Sequence, residues 1–223
     1  MLPILFEATY ETLKLTFTTS IFVIILGIPL GVLLEATNNQ HILGNKYLWV
    51  HTTLKAIINF LSNIPIFLML IILIPIINGI LFEYFTIELS AIIALVFICT
   101  CIFAKDVFDS LNNLPKELSD TAKFLGAEAF QVLTKFLLPE AKQHLINNIT
   151  KLIINLISLS IMVSMLGING LGKLALEKGY QEADLSCIFY IILLSTSIIY
   201  IVKFIGNLLS NYFYNKQHNG IIS

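Results

Sequence analysis

The chain has 223 residues, of which 57% are hydrophobic and 12% are charged, against roughly 25% charged residues in a soluble domain. Its composition is therefore that of a membrane protein. The net charge of −1 argues against nucleic acid as a partner, since its binding normally requires a basic face.

Five apolar runs are long enough to cross about 30 Å of hydrocarbon as helices. In chain order, the predicted spans cover residues 13–34, 56–77, 87–104, 145–166 and 185–208. Prolines at positions 29, 65 and 75 interrupt the first two spans, and kinks are expected there. The N-terminus lacks the basic start and short apolar core of a cleaved signal peptide, so the first span is expected to be retained. The sequence predicts an all-α, polytopic protein with five transmembrane helices.

Lysine positions predict the orientation of these spans. With the N-terminus outside, nine lysines fall in cytoplasmic segments: Lys46, Lys55, Lys105, Lys116, Lys123, Lys135, Lys142, Lys203 and Lys216. Only Lys173 and Lys178 fall in outer segments, while Lys14 and Lys151 lie at span ends. The positive-inside rule therefore favours an outer N-terminus and a cytoplasmic C-terminus, with residues 213–223 as a short cytoplasmic tail.

The stretch GINGLGKL, residues 167–174, has the spacing of a phosphate-binding loop. Its last position fails, because Leu174 stands where magnesium binding needs a hydroxyl, and an apolar span rather than a strand precedes it. The stretch also falls on the outer side, away from cytoplasmic ATP. We expect Gly167, Gly170 and Gly172 instead to end the fourth span, to form an outer turn and to allow close packing.

The segment between the third and fourth spans, residues 105–144, is the longest polar stretch. Its pattern predicts two short amphipathic helices bent at Gly126, the first starting near Pro115 and the second ending at Pro139. The apolar positions of these helices are Leu118, Ala122, Leu125, Val132, Leu133 and Phe136. From the pattern alone, such helices either bind a partner or simply lie on the membrane surface or cap the bundle.

Residues 120–139, DTAKFLGAEAFQVLTKFLLP, resemble the cytoplasmic EAA loop of permeases from bacterial ABC importers. Gly126 and the pair Leu138–Pro139 stand at the spacing of that motif, and Ala122 matches its third letter. Asp120 replaces the usual glutamate and Thr121 the first alanine. Three further stretches, YETLKLTFTTSIFVIILGIPLGVLL, NFLSNIPIFLMLIILIP and LGINGLGKLALEKGY, are similar to the permease of methionine-uptake importers. That resemblance covers about residues 8–212 as one transmembrane domain with the type I ABC importer permease fold.

The resemblance implies a transport subunit in the bacterial inner membrane that forms a homodimer and is not itself an enzyme. It implies a pathway for D- or L-methionine, two copies of a separate ATPase and an extracytoplasmic methionine-binding protein or lipoprotein. ATP and magnesium would be used by the ATPase, and this chain would bind no cofactor. The residues that the resemblance assigns to the ATPase contact are Asp120, Ala122, Lys123, Gly126, Ala127, Phe130, Gln131 and Pro139.

Polar residues inside two spans are candidates for the translocation path. In the fourth span, Asn155, Ser158 and Met162 recur at helical spacing and share a face with Asn148, Lys151 and Met165. In the second span, Asn59 and Ser62 lie one turn apart, beside Asn63. Such residues either line the route of a small amino acid or form hydrogen bonds between helices.

Other functions find less support in the sequence. An ion-coupled carrier usually buries a carboxylate in mid-span, whereas Glu35, Glu83 and Glu88 all lie at or beyond span ends. Four scattered histidines and three cysteines in apolar runs offer no metal-ligand spacing. An ABC permease for another amino acid or an osmolyte is the alternative within the same class.

Overall fold

The computed structural model describes residues 2–38, 48–80 and 86–219, and every regular element in these ranges is helical. The long helices are α1 (Leu2–Ala36), α2 (Leu48–Asn63), α3 (Ile66–Ile80), α4 (Ile87–Asn112), α8 (Lys142–Ser164) and α10 (Leu185–Asn219). Between α4 and α8 lie α5 (Lys116–Phe124), α6 (Ala129–Gln131), a π-helix termed π1 (Val132–Leu137) and α7 (Leu138–Glu140). Between α8 and α10 lie α9 (Leu171–Leu174) and a second π-helix, π2 (Ala175–Gln181).

Four of these helices, α1, α4, α8 and α10, are long and apolar enough to cross a membrane. They correspond to the predicted first, third, fourth and fifth spans, although α1 begins at Leu2 rather than Leu13 and α10 continues to Asn219. The helix α4 also continues to Asn112, into the segment predicted as the loop 105–144. Counting α2 and α3 together as one bent span gives the predicted five.

The second predicted span is not one continuous helix. The chain bends by 100° between α2 and α3, where Ile64 and Pro65 lie outside both helices. Pro65 has no N–H to donate and disfavours helical geometry at Ile64, so the break falls where the helix is weakest. Pro29 and Pro75, in contrast, lie within continuous helices.

The chain divides into two compact units, and each long helix that could span alone contributes one part to each unit. In the unit of residues 1–23, 64–98 and 150–205, the N-terminal parts of α1, α4 and α10 meet the C-terminal part of α8. Lys14 forms an ion pair with Glu88 at 3.0 Å, and Leu5 packs with Cys187 and Ile191. These contacts are those expected where alternate spans run in opposite directions.

The other unit, residues 24–63, 99–149 and 206–223, gathers the opposite helix ends. Leu34 of α1, Ile58 of α2 and Phe108 of α4 form one buried cluster. The Asn148 side chain, near the start of α8, donates to the Asp106 carbonyl at 2.9 Å and to the Ser110 hydroxyl at 2.7 Å. Gly27 and Gly31 of α1 allow the side chains of Phe103 and Val107 to approach closely.

Candidate functional site

The predicted bend in the segment after α4 is present at Gly126. Gly126 has φ +78°, a conformation that glycine adopts at no steric cost. The Ala127 N–H donates to the Ala122 carbonyl at 3.0 Å, the 6→1 bond of a Schellman motif that closes α5. The helical pattern and the glycine therefore predicted this turn correctly.

Apolar side chains on both sides of the bend are exposed. Phe124 is 92% exposed, Leu125 75% and Phe130 74%. All three lie outside the helices that could span a membrane. Large apolar side chains exposed in a polar segment are typical of a surface that binds a partner.

The predicted contact residues divide into exposed and structural ones. Asp120 and Gly126 are exposed with Phe130, whereas Ala122 is fully buried and packs inside the segment. Gln131 accepts a hydrogen bond from the Glu128 N–H at 3.3 Å, so it caps the start of α6.

The other three predicted contact residues are Ala127, Pro139 and Lys123. Ala127 is half-buried beside the bend, and Pro139 is half-buried in α7. Lys123 lies in α5, and its side chain is outside the described residues.

Helical spacing grouped Leu125 with Ala122, but Leu125 is exposed whereas Ala122 is buried, and the exposed Phe124 was not among the predicted contact residues. The Leu125 N–H still donates to the Thr121 carbonyl, four residues back, so Leu125 keeps the helical register although its side chain is 75% exposed.

A π-helix connects the bend to Pro139. The Leu138 N–H donates to the Leu133 carbonyl, five residues back, and Pro139 has no N–H to continue an α-helix. A wider turn before the proline relieves the clash of its ring with the preceding carbonyls. Val132 and Leu133 are buried here, as the apolar pattern predicted.

The residues predicted to share the polar face of α8 differ in their exposure. Asn148 is buried and joined to α4, whereas Asn155, Ser158 and Met162 are exposed on the chain. Ser158 donates only to the Ile154 carbonyl of its own helix, at 3.4 Å. Within the described residues, neither Ser158 nor Asn155 is bonded to another helix.

The second predicted group of path residues lies in α2. Asn59 and Ser62 are half-buried, and the Ser62 hydroxyl donates to the Ile58 carbonyl at 2.7 Å. This hydroxyl is satisfied within its own helix, so the structure provides no interhelical role for it.

The outer glycine segment, residues 167–174, ends α8 and turns the chain as predicted. Gly167 has φ +101°, and α8 ends at Ser164. The Leu171 N–H donates to the Thr12 hydroxyl at 2.9 Å, and the Gly172 N–H donates to the Ser164 hydroxyl at 2.9 Å. Because these buried N–H groups are bonded within the protein, they do not form a cradle for phosphate.

Glu35 is more buried than its position at a span end suggested. It lies near the end of α1 and is 1% exposed, and its Oε2 atom has no hydrogen-bond partner among the described residues. Its position near a helix end keeps it away from mid-span, where an ion-coupled carrier usually holds a carboxylate.

Glu83 and His41 lie outside the described residues, as does Lys46.

The described ranges contain no group of three or more histidine, cysteine or acidic side chains placed to hold a metal ion. The three cysteines are buried free thiols. The described residues thus form several apolar helices long enough to span a membrane, with an exposed apolar bend outside them, as the sequence predicted for a permease.

Comparison with known proteins shows the family. The model of the family described as binding-protein-dependent transport system inner membrane component matches residues 27–217, and the chain belongs to that family. It is therefore one component of a multi-component transport system, which confirms the prediction of a permease rather than an enzyme or an ion-coupled carrier.

Two curated relatives and one solved structure are similar over most of their length. A probable D-methionine transport system permease of Pasteurella multocida is 34% identical over 77% of this chain and 78% of its own. A permease of the same description from Vibrio cholerae is 28% identical over 92% of this chain and 90% of its own. A solved inward-facing form of a methionine ABC transporter superposes with a TM-score of 0.88 and 29% identity, over 96% of this chain and 97% of that one.

Proposed function

We propose that the chain is the membrane-spanning permease of an ATP-driven methionine importer in the bacterial inner membrane. The observation that carries this proposal is the similarity to the solved methionine transporter over 96% of the chain. The curated relatives, described as D-methionine permeases, support the same substrate and include the D-isomer.

In the proposed assembly, two copies of the chain form the path, and two copies of a separate ATPase use ATP and magnesium. An extracytoplasmic methionine-binding protein delivers the substrate, as the family description of binding-protein dependence favours. This chain itself holds no cofactor in the proposed mechanism. Closure of the ATPase pair would move the bends at Gly126 together and reorient the spans.

The uptake of labelled methionine tests the substrate. The chain is expressed with its ATPase and binding protein in cells lacking methionine uptake, and entry of labelled L- and D-methionine is measured. We expect uptake that unlabelled methionine suppresses and that disappears with an ATPase unable to hydrolyse ATP. Histidine and glycine betaine serve as competitors from the two alternative substrate classes. Suppression by either of them but not by methionine would leave the permease assignment intact and overturn the substrate.

The exposed apolar residues of the bend support the position of the ATPase contact. Phe124, Leu125 and Phe130 would each bury apolar area against a groove, and burying one aromatic side chain stabilises a complex by about 2 kcal/mol. Asp120, exposed on α5, would lie at the polar rim of the same contact.

We expect Phe130→Ala and Phe124→Ala each to weaken association with the ATPase by roughly 30-fold, because about 2 kcal/mol of burial is lost. The measurement is the amount of ATPase that copurifies with the permease at increasing dilution. Tyr180→Ala is the matched control, because Tyr180 is an aromatic residue, 79% exposed, in π2 on the outer side of the chain. Equal loss in all three variants would contradict a contact at the bend.

The exposed polar face of α8 supports the position of the path. Asn155 and Ser158 are exposed on a helix that is apolar enough to span the membrane. Polar side chains are rarely left facing lipid, so we propose that this face, with Met162, meets the second copy or the water-filled path. Asn59 and Ser62 of α2 are proposed as minor contributors, because both are half-buried within the chain.

A further inference from the structure

Two hydroxyl groups from neighbouring helices hold the outer glycine segment. Its short helix α9 has Gly170 as the N-cap residue, which supplies no side-chain acceptor for the first N–H groups. Thr12 of α1 and Ser164 of α8 accept these N–H groups instead, each at 2.9 Å. Thr12 is 3% exposed and Ser164 1%, so water cannot replace either acceptor.

Both hydroxyls are oriented by a second hydrogen bond. Thr12 donates its proton to the Ala8 carbonyl at 2.9 Å, and Ser164 donates to the Ile161 carbonyl at 2.8 Å. With the hydroxyl protons used in this way, each oxygen is free only to accept, and it accepts from the glycine segment. Removing one hydroxyl would leave a buried N–H without a partner, which is the costly way to lose a hydrogen bond.

Further contacts join the same elements. The hydroxyls of Thr16 and Ser160 are 3.0 Å apart, between α1 and α8. An apolar cluster contains Leu171 and Leu174 of the glycine segment with Leu5 of α1 and Cys187 and Ile191 of α10. The glycine segment is therefore attached to three helices by both polar and apolar contacts.

We infer that Thr12 and Ser164 are positioning residues that lock the outer glycine segment onto α1 and α8, so that these elements move as one body during transport. The inference rests on the proposed function, since joint movement of these elements has a meaning only in a transport cycle. The outward opening would then not lie between α1 and α8 of one copy, because those two helices stay joined there.

The lock is tested by the accessibility of Leu171, which is 1% exposed. Leu171→Cys is introduced after Cys99, Cys101 and Cys187 have been changed to alanine, and intact cells are treated with a membrane-impermeant maleimide. We expect Thr12→Val, which keeps the shape but not the hydroxyl, to raise the labelling rate about fivefold or more. Ser164→Ala should have an effect in the same direction.

Conservative and matched variants accompany this measurement. Thr12→Ser restores the acceptor and should return labelling to within about twofold of the parent rate. Thr18→Val is the matched control on α1, because the Thr18 hydroxyl donates only to the Lys14 carbonyl of its own helix. Labelling that is unchanged in both Thr12→Val and Ser164→Ala would overturn the lock.

Movement as one body is tested by a disulfide between α1 and α8. Thr16→Cys and Ser160→Cys place two thiols where the hydroxyls now lie 3.0 Å apart. We expect the bond to form on mild oxidation and methionine uptake to stay above half of the reduced value. Uptake that stops on oxidation and returns on reduction, or a bond that does not form, would overturn the inference.

These two readouts separate this inference from the proposed function. Maleimide labelling of Leu171→Cys needs no substrate, so it reports on the lock even if the complex does not import methionine. If labelling behaves as expected and the native complex carries another solute, the disulfide test is repeated with that solute.

Discussion

Gly172 is a position where contact with a neighbouring backbone atom leaves room only for glycine. A Cβ atom at this position would overlap the Ile161 carbonyl oxygen and the Ser164 hydroxyl. The first of these is a backbone atom of α8, which cannot move aside as a flexible side chain can. Close approach, rather than an unusual backbone angle, is therefore what requires glycine here.

We expect Gly172→Ala to destabilise the chain by about 3 kcal/mol, because the added methyl group forces α8 and α9 apart. The measurement is the melting temperature of the detergent-solubilised protein, followed by the loss of monodisperse material after heating. Gly79→Ala is the matched control in α3, where a Cβ atom would meet no atom within 4 Å. If the two variants melt at the same temperature, the close contact between α9 and α8 is absent.

At this scale the sequence predicted the role of the glycines but not their partners. A run with glycine at positions 167, 170 and 172 is a local signal for a turn at a helix end, and the turn is present. The acceptor for Leu171 is Thr12, 159 residues away, and nothing in the sequence around either residue indicates the pair.

The proposed translocation path depends on which neighbours cover the polar face of α8. Helical spacing grouped Asn148 with Asn155 and Ser158, yet Asn148 is buried against α4 and the other two are exposed. Periodicity predicts which residues share a face, but neighbouring helices decide how much of the face they cover.

We expect a cysteine at Asn155 to react with a water-soluble thiol reagent, because a residue that faces the path is wetted. In the cysteine-free background, the rate for Asn155→Cys is compared with that of Ile201→Cys, a residue of α10 that is 58% exposed on an apolar helix. The lipid-facing control should react at least tenfold more slowly, since thiols form the reactive thiolate poorly in hydrocarbon. Equal rates would mean that Asn155 faces lipid or is covered.

The two prolines of the second predicted span show that the sequence alone does not decide where a helix breaks. Pro65 separates α2 from α3, whereas Pro75 lies inside α3. The sequence indicated a disturbance at both positions with equal strength. Whether a proline breaks a helix depends on whether its neighbours satisfy the freed carbonyl groups, and that is a property of the packed protein.

Orientation in the membrane is the prediction that belongs to the whole molecule. We expect a cysteine at Asn169, exposed in the outer glycine segment, to be labelled by an impermeant maleimide added to intact cells. A cysteine at Glu117, exposed in α5, should be labelled only after the membrane is made permeable. Both residues are exposed, so a difference between them reports sidedness rather than burial. The opposite pattern would reverse the assignment that the lysines favour.

The sequence by itself determined the class of the protein, the positions of the spanning helices and the bend at Gly126. These features are local, because span length follows from apolar composition and the bend from one glycine. Only the tertiary structure decided that Leu125 is exposed, that Glu35 is buried, and that the N–H groups of the outer glycine segment bind Thr12 and Ser164. Exposure and hydrogen bonding depend on which distant helices meet, and a helical pattern records the face that a residue shares but not the neighbour that covers it.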